Sequence, residues 1–157
     1  MFTFHKNIIL VIMARHFVDT SALVKLYRVE TLSMQVQTAV QPTDTLAISA
    51  LTTLEFQSAF FSLVRQQVID QWHAIQRIQF FQEDLPSFEV VLLTPSILTS
   101  AERLLSRFAV SEGLRSADAI QLAAAMEAST SVPFDTFLTT DSILKSCALA
   151  SGFVVKP

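Results

Sequence analysis

The sequence predicts a three-layer α/β/α domain with a central parallel sheet of four to five strands. Two observations carry this: short β-rich runs alternate with helical patterns, and acidic residues fall where the strands hand over to the helices. The first run, HFVD (16–19), leads into TSALVKLY, TLAIS (45–49) leads into a long helix from about Leu51, and FEVVLL (88–93) leads into a helix opened by Thr94 and Pro95. A helix over 116–129 follows, with Ser116 read as its N-cap after a turn at Gly113. Two further strands are expected around 135–139 and 152–156. Strands that alternate with helices form parallel βαβ units with helices on both faces.

A chain of 157 residues can bury a core without disulfides or a structural metal, and no repeat or low-complexity tract divides it. Residues 15–157 are read as one domain and 1–14 as an N-terminal extension outside its core. The apolar run Ile8 to Met13 is too short to span a bilayer and lacks a small-residue cleavage site after it, so no membrane partner is expected. A single cysteine, Cys147, excludes a disulfide framework and a thiolate zinc site and suits a reducing cytoplasm. Net charge is −3, so any hold on nucleic acid is local or metal-assisted.

In open parallel sheets, chemistry collects beyond the carboxyl ends of the strands. Asp19 ends the first strand, Asp141 follows the fourth, Glu55 lies one turn into the helix after the second, and Asp118 opens the helix before the fourth. Each has an ordinary reading: Asp19 and Asp141 as N-caps, Asp118 as a helix-dipole partner, Glu55 as a solvated residue. Together they are acidic groups at one sheet edge, which repel unless a cation neutralises them. Glu55 sits in ISALTTLEFQSAFFSLV, among apolar and small neighbours where a solvated glutamate fits poorly. Oxygen donors without histidine or cysteine suit Mg²⁺ or Mn²⁺. The histidines, His5, His16 and His73, have no metal-ligand spacing and are read as structural. Ser21 and Thr139 are placed to hydrogen-bond the carboxylates.

A haloacid-dehalogenase-like phosphatase needs a second aspartate where this chain has Ser21. A receiver domain needs one ending the third strand, which here ends LLTPS. The segments FVDTSALVKLY (17–27), ISALTTLEFQSAF (48–60), LRSADAIQLAAAM (114–126) and FLTTDSILKSCALASGFVV (137–155) instead resemble PIN-domain ribonucleases, especially VapC-like toxins of toxin–antitoxin pairs. The resemblance runs from about Arg15 onward, leaves residues 1–12 outside and makes Met13 a plausible start.

By position, the resemblance puts the acidic metal ligands on Asp19, Glu55, Asp118 and Asp141 and the family's hydroxyls on Ser21 and Thr139. Gln121 stands where the family more often has a histidine that is not a ligand, which leaves the expected mechanism intact. That mechanism is metal-dependent hydrolysis of RNA, leaving a 5′-phosphate and a 3′-hydroxyl, with Mg²⁺ or Mn²⁺ as cofactor. The alternative is a PIN-fold RNA-binding or scaffold module with little cleavage. Lys25, Arg28 and Arg115 are candidate phosphate contacts. The aromatic-rich helix pair around Phe56, Phe60, Trp72 and Phe81 implies a groove for an antitoxin segment, and the family's habit implies a homodimer.

Overall fold

The computed structural model describes residues 13–157. His5, the apolar run up to residue 12 and most of the expected extension lie outside the described residues. The elements run β1 (Arg15–Val18), α1 (Thr20–Tyr27), α2 (Ser33–Thr38), β2 (Thr45–Ser49), α3 (Thr52–Arg65), α4 (Gln71–Asp84), β3 (Glu89–Val91), α5 (Pro95–Phe108), α6 (Ser116–Ala128), β4 (Thr136–Leu138), α7 (Ser142–Ala150) and β5 (Val155–Lys156), with a 3₁₀ turn at Leu85–Ser87. The five strands form one parallel sheet in the order β3-β2-β1-β4-β5. This is the α/β/α sandwich expected from the alternation.

Strand periodicity sorts the core into two layers, because successive side chains point to opposite faces. Phe17, Ala47 and Phe137 face α5, α6 and α7, packing with Ile97, Leu104, Leu122 and Leu144. Their neighbours Val18, Ile48 and Leu138 face the other way, onto Leu23 of α1, Val36 of α2, Phe56 of α3 and Phe81 of α4. In register, β1 and β4 stack Phe17 on Phe137, ring centroids 5.3 Å apart.

Helix ends follow their local chemistry. Thr94 caps α5 through a hydrogen bond from the Ile97 amide (3.2 Å), with Pro95 in the first turn, as expected. After α7, Gly152 takes φ +94, and the Phe153 amide reaches back to the Ala148 carbonyl (3.1 Å), a left-handed closure that favours glycine. This turn uses up the start of the strand expected at 152–156, so β5 pairs only at Val155–Lys156. The run 88–93 likewise pairs only over Glu89–Val91, since β3 is an edge strand and Leu92 and Leu93 continue past it into solvent. Ser116 is not the N-cap of α6: Arg115, with extended backbone, holds that position, and Ser116 is the first helical residue. α2 has no counterpart in the sequence reading, being six residues long and entered through Leu32 at φ 70.

The expected aromatic groove is corrected by the packing. Phe56, Phe60 and Phe81 are fully buried, because the α3–α4 hairpin lays them on the sheet face, where Phe56 meets Phe81 (4.3 Å between centroids) and Tyr27 (5.1 Å). Trp72 is different: it is 61% exposed on the outside of α4. His16 is structural, buried between Thr136 (2.5 Å) and Asp44 (3.1 Å) at the amino end of the sheet. No described helix is long and apolar enough to cross a membrane.

Candidate active site

The carboxyl ends of β1 and β4 lie side by side at the middle of the sheet, and the loops leaving them carry Asp19 and Asp141. Both aspartates begin helices. Asp19 caps α1 by accepting from the Ser21 amide (3.1 Å), and Asp141 caps α7 by accepting from Ile143 and Leu144 (2.9 and 2.8 Å). The capping role does not exhaust them: each spends its cap on one oxygen, Asp19 on Oδ2 and Asp141 on Oδ1.

Asp19 is 4% exposed and is gripped at Oδ2 by two hydroxyls, Ser21 (2.6 Å) and Thr139 (3.1 Å). The Thr139 hydroxyl also accepts the Asp141 amide (3.1 Å), so one side chain links the two strand ends. Burial pushes the Asp19 carboxyl up to about 6, the charge of Glu55 pushes the same way, and the bonds from Ser21 and Thr139 oppose both.

Glu55, half-buried in the first turn of α3, is held at Oε2 by the Thr20 hydroxyl (2.6 Å) and by Nε2 of Gln121 (2.7 Å). Gln121 is wholly buried; its Nε2 also lies within 3.1 Å of Thr20 and 3.0 Å of Thr52, while its Oε1 has no partner among the described residues. Two donors thus engage one oxygen of Glu55. No hydrogen bond involving Oε1 is present among the described residues.

Asp118 is raised by burial, and the charges of Asp141 and Glu55 add to this, while the Arg115 guanidinium draws it back. Arg115 reaches Asp118 (3.1 Å) and Asp141 (3.4 Å) from a side chain 70% exposed. The four carboxylates therefore share one electrostatic neighbourhood, and the guanidinium of Arg115 occupies part of it. Among the described residues no three acidic, histidine or cysteine side chains are close enough to form a ready-made metal cluster. In chemistry the donor set, all carboxylate oxygen with no histidine or cysteine, fits a hard divalent cation.

Lys25 and Arg28 sit farther along α1 and its end, and both are engaged by Glu30, Lys25 at 2.7 Å. Of the three basic candidates, only Arg115 touches the carboxylates. Sequence reasoning missed Thr20 and Thr52 and treated Gln121 as incidental. The available signal was position: Thr20 and Thr52 open their helices beside Asp19 and ahead of Glu55, and Gln121 lies one turn after Asp118.

Fold and site together define a three-layer α/β/α protein with a carboxylate centre at the carboxyl edge of its sheet. The PIN domain family matches residues 16–148, and the chain belongs to that family. Among solved structures it is similar to Mycobacterium tuberculosis VapC20, described as a sarcin–ricin loop cleaving toxin, at 20% identity and a TM-score of 0.65 over 90% of this chain and 99% of that one. It is also similar to the FitAcB structure from Neisseria gonorrhoeae (18%, TM-score 0.62, covering 89% and 95%) and to a toxin–antitoxin complex from Klebsiella pneumoniae (20%, TM-score 0.56, covering 81% and 87%). No curated protein matches the sequence.

Proposed function

We propose that this chain is a divalent-metal-dependent endoribonuclease, acting in the cytoplasm as the toxin of a toxin–antitoxin pair. The observation that carries the reading is the bonded frame around Asp19, Glu55, Asp118 and Asp141: Thr139 bonds the Asp19 carboxylate and the Asp141 amide, Ser21 adds to Asp19, Thr20 and Gln121 hold Glu55, and Arg115 reaches both Asp118 and Asp141. These carboxylates would be the ligands of Mg²⁺ or Mn²⁺, which when bound would supply Lewis acidity toward a phosphodiester.

The chain's own groups do the positioning. Ser21 and Thr139 fix the direction of the Asp19 carboxylate, and Thr20 with Gln121 fix Oε2 of Glu55. Arg115 offsets the charge of Asp118 and Asp141 and is placed to contact an incoming phosphate. The similarity to a toxin–antitoxin complex from Klebsiella pneumoniae supports an antitoxin as the partner. The exposed side of α4 around Trp72 is the surface offered for antitoxin or for a second copy in a homodimer.

The test is cleavage of end-labelled single-stranded RNA by purified protein in Mg²⁺ or Mn²⁺, against EDTA and against an Asp19→Ala, Asp118→Ala double variant. Cutting that needs both metal and the two aspartates supports the reading. One observation favours a second reading, an RNA-binding module with little cleavage: among the described residues, no compact three-donor cluster is present. Metal-bound, folded protein that leaves varied RNAs intact would select that reading.

A further inference from the structure

We propose that the cleft between α1 and α3, beside the carboxylate centre, holds one unstacked nucleobase of the RNA, and that Ser62 and Gln66 select which base. The inference rests on the nuclease reading for its substrate and adds a specificity subsite to it.

Position is the first argument. The cleft, about 340 Å³, has Ser21 and Thr140 in its wall. Ser21 is also the residue whose hydroxyl donates to Asp19 (2.6 Å), and the Thr140 amide donates to that same hydroxyl (2.9 Å). Cleft and carboxylate site therefore share a wall. A strand with its phosphate at the carboxylates has a flanking nucleotide within reach of the cleft.

Size and chemistry are the second. Small-molecule sites span ~300–1,000 Å³, which puts this cleft at the size of one base rather than a longer segment. Single-stranded bases are recognised by apolar faces plus a few donors and acceptors on their edges. Val24 and Leu63 supply apolar wall, while Ser62 in the last turn of α3 and Gln66 at its C-cap supply a hydroxyl and an amide. The Gln66 amide already donates to Ser62 (3.0 Å), so the pair presents the remaining amide N–H and carbonyl as a local donor and acceptor.

Charge decides between a base and a phosphate. Lys25 lines the cleft, but Glu30 lines it too and binds the ammonium at 2.7 Å. Among the described residues of the cleft lining the charges are this one ion pair, which leaves no uncompensated cation there to hold a phosphate; Arg28, outside the lining, shares Glu30. Burial and the neighbouring Arg28 both lower the Lys25 ammonium's proton affinity, in the same sense.

The experiment measures fluorescence anisotropy of the full chain in Mn²⁺ with labelled, cleavage-resistant phosphorothioate hexanucleotides of A, C, G or U. Wild type is expected to separate the tightest from the weakest by about fivefold or more, the worth of roughly one hydrogen bond. Gln66→Ala and Ser62→Ala should each bring the ratio below about twofold, and Leu63→Trp, which fills the cleft, should weaken all four about tenfold. Gln66 is exposed, so its variant is a safe check if Leu63→Trp does not fold. Equal binding of the four by wild type, or unchanged discrimination in both alanine variants, overturns the proposal. Because the readout is binding, base discrimination without any cutting of natural RNA would sink the nuclease reading and leave the cleft standing; cutting without discrimination would do the reverse.

Discussion

Nε2 of Gln121 lies 2.7 Å from Oε2 of Glu55, joining the buried face of α6 to the first turn of α3 across the floor of the site. Gln121→Leu keeps the volume and removes this bond, leaving Glu55 with Thr20 alone. Groups that orient metal ligands are commonly worth ~10–100-fold in metal affinity, and a loss of that order is expected here by calorimetric Mn²⁺ titration. Gln121→His, which again offers a ring N–H toward Glu55, should recover a measurable part of it. An unchanged affinity in Gln121→Leu would reduce the residue to core filling.

Asp19 gives an opposite pair of effects on stability and metal. Its burial penalises the carboxylate, so Asp19→Asn, which retains an oxygen able to cap α1, should melt higher than wild type in EDTA at neutral pH. Saturating Mn²⁺ should reverse the order, because only wild type gains binding free energy in its native state. Thermal melts of both proteins with and without Mn²⁺ check this.

Arg115 competes for the carboxylates that a cation needs. Removing it in Arg115→Ala should tighten Mn²⁺ binding severalfold while weakening RNA binding. The two changes, read by calorimetry and by anisotropy, separate a counter-ion from an ordinary surface charge.

Stability in acid is set at the other end of the sheet. Burial works against ionised Asp44, but bonds from the Gln41 and Ala14 amides and from His16 outweigh it, and its carboxyl is held below the usual 3.8. A depressed carboxyl contributes stability that is fully present above its unfolded value, declines below pH 3.8 and is gone once pH has fallen through the folded value. Asp44→Ala should cost about 1–3 kcal/mol at pH 7, by leaving the buried His16 ring and the part-buried Ala14 amide without their acceptor, and should flatten the pH dependence of stability below about pH 4. Urea denaturation at pH 7 and pH 3 measures both.

Aromatic residues of α3 and α4 divide by face. Phe56→Ala removes a ring at the centre of one core layer and should cost about 3–5 kcal/mol. Trp72→Ser, on the outer face, should change stability by no more than ~0.5 kcal/mol while altering self-association or partner binding, if this face is the one covered. Denaturant melts and light scattering distinguish the two.

The strand–helix alternation was legible in the sequence because β1, β2 and β4 are buried on both faces and read as short apolar runs. Their ends were less so. β5 begins late because Gly152 is spent closing α7, and β3 stops early because an edge strand has a partner on one side only. The acidic positions could be placed at the carboxyl edge from chain order alone. What holds them could not, since Gln121 meets Glu55 only through packing of α6 against α3. Phe56 and Phe60 misled for a related reason: composition tells how much aromatic surface a hairpin carries, not which side the sheet will cover.

The Thr139 hydroxyl bonds a carboxylate 120 positions earlier in the chain. That span gives the protein an order of assembly. Asp19 is made early, yet its neighbours at the sheet edge arrive only when β4 has been synthesised and has slotted in beside β1. A chain still on the ribosome therefore carries an incomplete site until most of its residues have emerged.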